Sequence, residues 1–174
     1  KLMSNQKIKV IPNPLPIDIY KPRSKNLSRK KFSLPLDKKL ILYGSLSSFE
    51  DEMKGWNLFK ETVQKISKKS LDVSIVIFGC KTPSIKPKLN LPLYFVGRIT
   101  DEKSLSYLYS AVDLIATTSK IESFGQTVSE AHSCGTPAVA FNTTGLKDVI
   151  DHKITGYLAK PFCVESFVRG IYWI

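Results

Sequence analysis

The fold of this chain is organised around one segment, Ser119-Lys-Ile-Glu-Ser-Phe-Gly-Gln-Thr-Val-Ser-Glu-Ala-His-Ser-Cys-Gly135. It follows an apolar run at residues 111–116 and precedes another at residues 138–141. Both runs have the length and composition of short buried strands. The stretch between them therefore joins two strands, as in the right-handed crossover of a parallel sheet.

A short helix is predicted in the second half of this stretch. Residues 123–126 have the Ser-x-x-Gln spacing of a capping box, which marks a helix N-terminus. Residues 119–122 have the related Ser-x-x-Glu spacing, so the two patterns predict first helical residues a few positions apart. Gly135 is expected to end the helix, and Pro137 prevents its continuation.

Two glutamates, Glu122 and Glu130, flank the predicted start of this helix. Gly125 between them favours a loop position for Glu122 and a helical position for Glu130. The unpaired N–H groups near residues 125–127, at the positive end of the helix dipole, can hold an anion. A nucleotide sugar would place its diphosphate there and its ribose and sugar hydroxyls on the two carboxylates. The alternative is that both glutamates are solvated surface charge.

The rest of the chain alternates between predicted strands and helices. Strands are predicted at residues 40–43, 73–78, 93–96, 112–117, 139–141 and 157–159. Helices are predicted at residues 28–32, 55–67, 101–110, 147–150 and 164–173. This pattern predicts an α/β fold, a Rossmann-like doubly wound parallel sheet. Such sheets bind ligands beyond the carboxyl ends of their strands, so the loops that follow the strands are expected to share one crevice.

Length and composition indicate one folded domain. The chain has 174 residues, of which 43% are hydrophobic and 24% charged. No apolar run approaches the ~20 residues of a membrane span, and residues 1–6 lack the apolar core of a signal peptide. Three scattered cysteines, Cys80, Cys134 and Cys163, suit reduced thiols, so a cytoplasmic location is expected.

The chain is strongly basic, with a formal net charge of +11. Eight of the nineteen residues from 21 to 39 are Lys or Arg. Such a run is usually a solvated face, and the functional alternative is contact with an anionic membrane surface at its inner face. Nucleic acid is disfavoured as a partner, because the basic residues are not interleaved with aromatic residues and no nucleic-acid motif occurs. No Gly-x-Gly-x-x-Gly fingerprint supports a nicotinamide cofactor.

The segment from Glu122 to Pro137 resembles the Glu-x7-Glu signature of retaining glycosyltransferases of family 4, which have the two-domain GT-B fold. Four further segments resemble motifs of this family, and they occur in the family's order. They are Tyr94-Phe-Val-Gly-Arg98, Leu108-Tyr-Ser-Ala-Val-Asp113, Gly145-Leu-Lys-Asp-Val149 and Thr155-Gly-Tyr-Leu158. Ile11-Pro-Asn-Pro-Leu15 is similar to the family's entry into its C-terminal domain. Together these matches cover most of the chain.

The resemblance implies a role for each matching residue. Glu130 would hold the ribose hydroxyls, and Glu122 would contact a sugar hydroxyl near the reacting centre as a catalytic residue. Gly97 and Arg98 lie where the family contacts the base. Backbone N–H groups for phosphate or sugar would come from Phe124, Gly125, Gln126 and Thr127.

The loop after the first strand departs from the family pattern. Family members usually carry an Arg directly after the glycine of this strand and a Lys a few residues later, and both contact the donor phosphates. Here Ser45 follows Gly44, so the Arg is missing, whereas Lys54 keeps the position of the Lys. The resemblance therefore implies that Lys54 is the catalytic cation, with Gly44 and Ser45 beside the donor. Arg98 or Lys120 are the candidates to compensate for the missing Arg.

The resemblance also implies a second half of the enzyme, an N-terminal domain that binds the acceptor. Residues 1–174 are expected to be the C-terminal donor-binding domain, with little or no transfer activity alone. The expected donor is a UDP- or GDP-linked hexose, and the expected acceptor is a saccharide or a lipid-linked molecule in cell-surface polysaccharide synthesis. No metal or other cofactor is expected, since no Asp-x-Asp motif occurs. The alternative is a catalytically degenerate module that only binds nucleotide sugars.

Overall fold

The computed structural model describes residue 9 and residues 11–44, 52–68 and 72–174. Within these residues the chain forms six β-strands and six α-helices. The strands are β1 Lys39–Gly44, β2 Val73–Phe78, β3 Leu93–Gly97, β4 Leu114–Thr117, β5 Ala138–Phe141 and β6 Gly156–Ala159. The helices are α1 Lys25–Lys31, α2 Trp56–Ser67, α3 Glu102–Ala111, α4 Gln126–Ser133, α5 Leu146–Val149 and α6 Val164–Trp173. A 3₁₀ turn at Glu52–Lys54 precedes α2.

All six strands are parallel and lie in the order β3-β2-β1-β4-β5-β6. The chain builds the sheet outward from β1 to β3, then returns to the other side of β1 and continues outward to β6. The order of the strands therefore reverses between β1 and β4, which is the position where doubly wound sheets bind their ligands. The predicted Rossmann-like doubly wound sheet is confirmed.

The sheet is covered by helices on both faces, which explains why its strands read as continuous apolar runs. Leu40 and Leu42 of β1 face the side covered by α3 and α4, while Ile41 and Tyr43 face the side covered by α2 and α6. All six residues of β2 and all four of β5 are buried. Among the described residues, no helix has the length and apolar character needed to cross a membrane.

The central helix α4 begins and ends by glycine geometry. Its N-cap is Gly125, in the left-handed region at φ 88°, and no side chain caps the helix. The prediction of a capping box at residues 123–126 is therefore wrong, because the left-handed turn places Ser123 two residues ahead of the cap. The predicted end is confirmed: Gly135 has φ 80°, and its N–H donates to His132 O at 2.9 Å. The N–H of Thr136 donates to Ala131 O at 2.9 Å, which completes a Schellman motif.

The basic segment before β1 is held to the domain by Arg29. Its side chain is only 4% exposed, so the prediction of a solvated face is wrong for this residue. The guanidinium donates to Ala111 O at 2.8 Å and to Asp113 Oδ2 at 2.8 Å. It also donates to two carbonyls of the connection into β1, Leu36 O at 2.9 Å and Lys38 O at 3.0 Å. Arg29 thereby ties α1, β1 and the end of α3 together.

Asp113 is the acidic partner in this arrangement. Its Oδ2 also accepts from Leu40 N at 2.8 Å, and its Oδ1 accepts from Lys25 Nζ at 2.9 Å. Burial acts to raise the pKa of this carboxyl, but the N–H of Leu40 and the charges of Lys25 and Arg29 outweigh burial. The pKa of Asp113 is therefore below its ordinary value, and the ionised form is the native one.

Candidate functional site at the switch point

The carboxyl ends of β1 and β4 define the candidate site. Tyr43 of β1 pairs with Ala116 of β4, so the carboxyl ends of the two strands lie side by side. Lys54 comes after β1 in the chain, and Glu122 comes after β4. The two residues predicted as catalytic thus come from the two sides of the switch point.

Lys54 and Glu122 form an ion pair. Lys54 Nζ lies 2.7 Å from Glu122 Oε1, and the two side chains are 31% and 24% exposed. Ser119 Oγ donates to the same carboxylate oxygen at 2.8 Å. The ion pair is therefore partly exposed, so a ligand can reach it from solvent.

The backbone of the Lys54–Gly55 pair is fixed against the segment after β4. Thr118 Oγ1 lies 3.1 Å from Lys54 O and 2.9 Å from Gly55 O, and Lys120 N donates to Met53 O at 2.8 Å. Gly55 has φ 68°, and a Cβ at this position would lie 2.1 Å from Thr118 O. Only glycine fits this close approach, which explains why a glycine follows the lysine.

Glu122 lies in the loop before α4, as predicted, and its backbone is fixed by the loop after β5. The N–H of Glu122 donates to Thr144 Oγ1 at 2.9 Å, and its carbonyl accepts from Gly145 N at 3.0 Å. A Cβ on Gly145 would lie 2.6 Å from Ser123 O, so the two loops are in close contact. Sequence reasoning assigned no role to Thr144, because nothing in the sequence relates it to a residue 22 positions away.

The N-terminus of α4 lies directly after this loop. The first backbone bond within α4 is from Val128 N to Gly125 O at 2.9 Å, so the N–H groups of Gln126 and Thr127 are not used within the helix. A Cβ on Gly125 would lie 3.1 Å from Leu146 Cδ2, which adds a packing reason for glycine here. Phe124 precedes this turn and is partly buried. The predicted anion-binding group, residues 124–127, is therefore continuous with the loop that carries Glu122.

Glu130 lies on α4, as predicted, and is only 8% exposed. Its Oε2 accepts from Tyr109 Oη at 2.7 Å, and its Oε1 accepts from Gln126 Nε2 at 3.3 Å. Burial raises the pKa of Tyr109, and the negative charge of Glu130 raises it further, so the phenol stays a hydrogen-bond donor. The pKa of Tyr20 is raised by the same two causes, first by burial and then by the negative charge of Glu130. Sequence reasoning assigned no role to either tyrosine; for Tyr109, its position within the Leu108–Asp113 motif was the available signal.

The remaining candidates lie at the same edge of the sheet. Gly44 ends β1, where a Cβ would come 2.8 Å from Phe78 Cε1. Gly97 ends β3 with φ 74° and open space around it, and its carbonyl accepts from Gly79 N at 2.9 Å. Arg98 follows with an exposed side chain. Ser45 lies outside the described residues.

No metal site is evident in the part of the chain that the structure describes. Within it, no group of three or more His, Cys, Asp or Glu residues is placed to hold a metal ion. The donors at the switch point are a lysine, a serine and backbone N–H groups, which suit an anionic or hydroxyl-bearing ligand.

This fold is a Rossmann-like doubly wound sheet with polar residues at its switch point, and it is the fold of GT-B glycosyltransferases. The chain belongs to the group 1 family of glycosyl transferases, whose family model matches residues 24–174. The family resemblance is thereby confirmed at the level of group 1.

Among relatives, the D-inositol 3-phosphate glycosyltransferases of Mycolicibacterium paratuberculosis and Mycobacterium tuberculosis F11 are each 27% identical over 177 residues. The aligned region is 95% of this chain but only 38% and 35% of these relatives. The chain thus spans little more than a third of their length.

Solved structures share the fold. Sucrose-phosphate synthase from Thermosynechococcus elongatus superposes with a TM-score of 0.72 at 23% identity, over 90% of this chain and 40% of that one. Anabaena HepE in complex with UDP-glucose superposes with a TM-score of 0.73 at 22% identity, over 94% of this chain and 46% of that one. The C-terminal domain of a group 1 glycosyl transferase from Francisella tularensis gives 0.71 at 19% identity, over 91% of this chain and 86% of that domain.

Proposed function

We propose that this chain is the C-terminal, donor-binding domain of a retaining, family 4 type glycosyltransferase. The observation that carries the proposal is the Lys54–Glu122 ion pair at the switch point, directly before the N-terminus of α4. A cation and backbone N–H groups that α4 does not use suit the diphosphate of a nucleotide-diphospho-sugar, and a carboxylate suits a hydroxyl of its sugar. The likeness to HepE, which was solved with UDP-glucose, supports a UDP-linked donor, and GDP is the second candidate.

The proposed chemistry is electrostatic. Lys54 and the N–H groups of Gln126 and Thr127 stabilise the negative charge that develops on the diphosphate as the bond to the sugar breaks. Glu122 accepts a hydrogen bond from a sugar hydroxyl and orients the ring. Glu130 accepts from the ribose, while Gly44, Ser45, Gly97 and Arg98 surround the phosphates and the base. No metal or other cofactor is part of the proposal.

The acceptor side belongs to the rest of the enzyme. In this proposal an N-terminal domain binds a saccharide or lipid-linked acceptor in cell-surface polysaccharide synthesis, and transfer is slow without it. The exposed lysines of the basic segment, among them Lys25 and Lys30, support a cytoplasmic enzyme that lies against the anionic inner face of a membrane.

A thermal-shift experiment tests donor binding. UDP, GDP, ADP and their hexose conjugates are added with and without EDTA, and a ligand at 100 times its Kd should raise the stability of the native state by about 2.7 kcal/mol. UDP or GDP should stabilise the domain, and EDTA should leave the effect unchanged. The proposal fails if no nucleotide raises the melting temperature.

The role of Glu130 has its own matched test. Glu130→Gln should weaken UDP by about 1.5–3 kcal/mol, because a hydrogen bond to a charged group is lost. The analogue 2′,3′-dideoxy-UDP lacks the ribose hydroxyls, so its affinity should be equal in the two proteins. An equal loss for both ligands would remove Glu130 from the ribose site.

A degenerate binding module is the second candidate, favoured by the serine at position 45 in place of the family's Arg. The full-length protein distinguishes the two. Turnover of a nucleotide sugar defines an enzyme, whereas nucleotide binding with no turnover defines a binding module.

A further inference from the structure

Among the described residues, the side-chain donors to the carboxylate of Glu122 approach one of its two oxygens. Lys54 Nζ and Ser119 Oγ both approach Oε1, at 2.7 and 2.8 Å. Neither donor uses Oε2, so within the described residues this oxygen remains available to a ligand hydroxyl. Ser119 itself is only 4% exposed, so water competes little for its hydroxyl.

The backbone of Glu122 is held independently by the loop after β5. Thr144 Oγ1 accepts from Glu122 N at 2.9 Å, and Gly145 N donates to Glu122 O at 3.0 Å. Thr144 has φ 40°, a left-handed conformation that a β-branched residue rarely adopts. Strain of this kind persists where the surrounding contacts impose it, and here it places the hydroxyl on the backbone of Glu122.

We propose that Ser119 and Thr144 are positioning residues that aim Oε2 of Glu122 at the donor sugar. Ser119 fixes the rotation of the carboxylate through Oε1, and Thr144 fixes the place of the loop in space. Neither residue touches the ligand in this arrangement. The inference rests on the proposed function, because it requires Glu122 to accept a hydrogen bond from the sugar.

The neighbouring residue provides a matched control. The hydroxyl of Thr143 is buried and has no hydrogen-bond partner among the described residues. Thr143→Val and Thr144→Val therefore make the same chemical change one position apart, and only the second removes a bond to Glu122. Thr144→Ser keeps the hydroxyl and should keep the positioning.

The experiment compares the affinity for a nucleotide with that for its sugar conjugate. A calorimetric panel of UDP, GDP and their hexose conjugates first identifies the conjugate that the unmodified chain binds more tightly than its nucleotide. Ser119→Ala and Thr144→Val should each weaken this conjugate about fivefold, the effect of one hydrogen bond. Affinity for the bare nucleotide should stay within about twofold, and Thr143→Val and Thr144→Ser should match the unmodified chain.

Double variants that contain Glu122→Gln provide the decisive comparison. If Ser119 and Thr144 act through Glu122, adding Ser119→Ala or Thr144→Val to Glu122→Gln should cause no further loss of sugar affinity. Additive losses, or equal losses for nucleotide and conjugate, overturn the inference and leave the proposed function standing. The inference is also overturned if the chain binds nucleotides but binds no sugar conjugate more tightly than the corresponding nucleotide. A chain that binds no nucleotide overturns the proposed function itself.

Discussion

Two ion pairs in this chain, Arg29–Asp113 and Lys54–Glu122, have nearly the same length but different surroundings. Their N–O distances are 2.8 and 2.7 Å. The Arg29 side chain is 4% exposed and donates to backbone carbonyls as well as to Asp113, whereas Lys54 is 31% exposed. A planar guanidinium suits a fixed set of acceptors, while a lysine is a point charge on a flexible stem. The first pair is enclosed by the fold, whereas the second remains partly open to solvent, as the proposed donor site requires.

Removing Arg29 should have the largest effect on stability. Arg29→Ala leaves several carbonyls without their donor and removes the most buried partner of Asp113, and breaking a buried pair costs about 3–5 kcal/mol. Urea denaturation measures the change in the free energy of unfolding. Lys30→Ala, at an exposed position of the same helix, is the control and should change this energy by less than about 0.5 kcal/mol. Equal effects of the two variants would show that the buried contacts of Arg29 do not stabilise the fold.

Removing Lys54 should affect binding rather than folding. Lys54→Ala should weaken UDP by about 1.5–3 kcal/mol through loss of a charged hydrogen bond, while uridine affinity is unchanged. Its free energy of unfolding should fall by less than about 1 kcal/mol, because the pair is partly exposed. Calorimetry with both ligands and urea denaturation give the two quantities. A uniform loss for UDP and uridine, or none, would make Arg98 or Lys120 the better phosphate ligand.

Glu122→Gln tests whether Lys54 can leave its ion pair with Glu122 to bind a ligand. The substitution releases Lys54 from its ion pair, so UDP should bind equally well or up to about fivefold more tightly. Turnover by the full-length enzyme should fall strongly, because the sugar contact matters most in the transition state. Weaker UDP binding, or normal turnover, would remove Glu122 from its proposed place between lysine and sugar.

The smallest expected effect is that of Asp113→Asn on how steeply the free energy of unfolding falls at acid pH. Asp113 has a lowered pKa in the folded chain, so its contribution to stability is fully present above its unfolded pKa. That contribution is lost as the pH falls through the lower, folded value. Free energies of unfolding measured from neutral to acid pH should therefore fall less steeply for Asp113→Asn than for the unmodified chain. Identical slopes would show that Asp113 does not titrate with folding.

Local pattern alone predicted most of the fold. β2 and α6 have the predicted bounds, and the other strands and helices differ from prediction by a few residues. Strand and helix periodicity is a short-range property, as is the need for a left-handed glycine at residue 135. The same local reasoning placed Glu122 in a loop and Glu130 on a helix. It failed at residues 123–126, where the left-handed turn at Gly125 replaced the capping box.

The contacts between the site residues depend on the assembled sheet. Lys54 and Glu122 are 68 positions apart, and Tyr109 and Glu130 are 21 apart. Their contacts depend on the return of the chain from β3 to the far side of β1, which no short-range pattern encodes. Local sequence thus indicated which residues are candidates for the chemistry and whether each lies on a helix or in a loop. The strand order determined that Lys54 and the hydroxyl of Thr144 meet Glu122, because groups distant in sequence become neighbours only when the sheet is assembled.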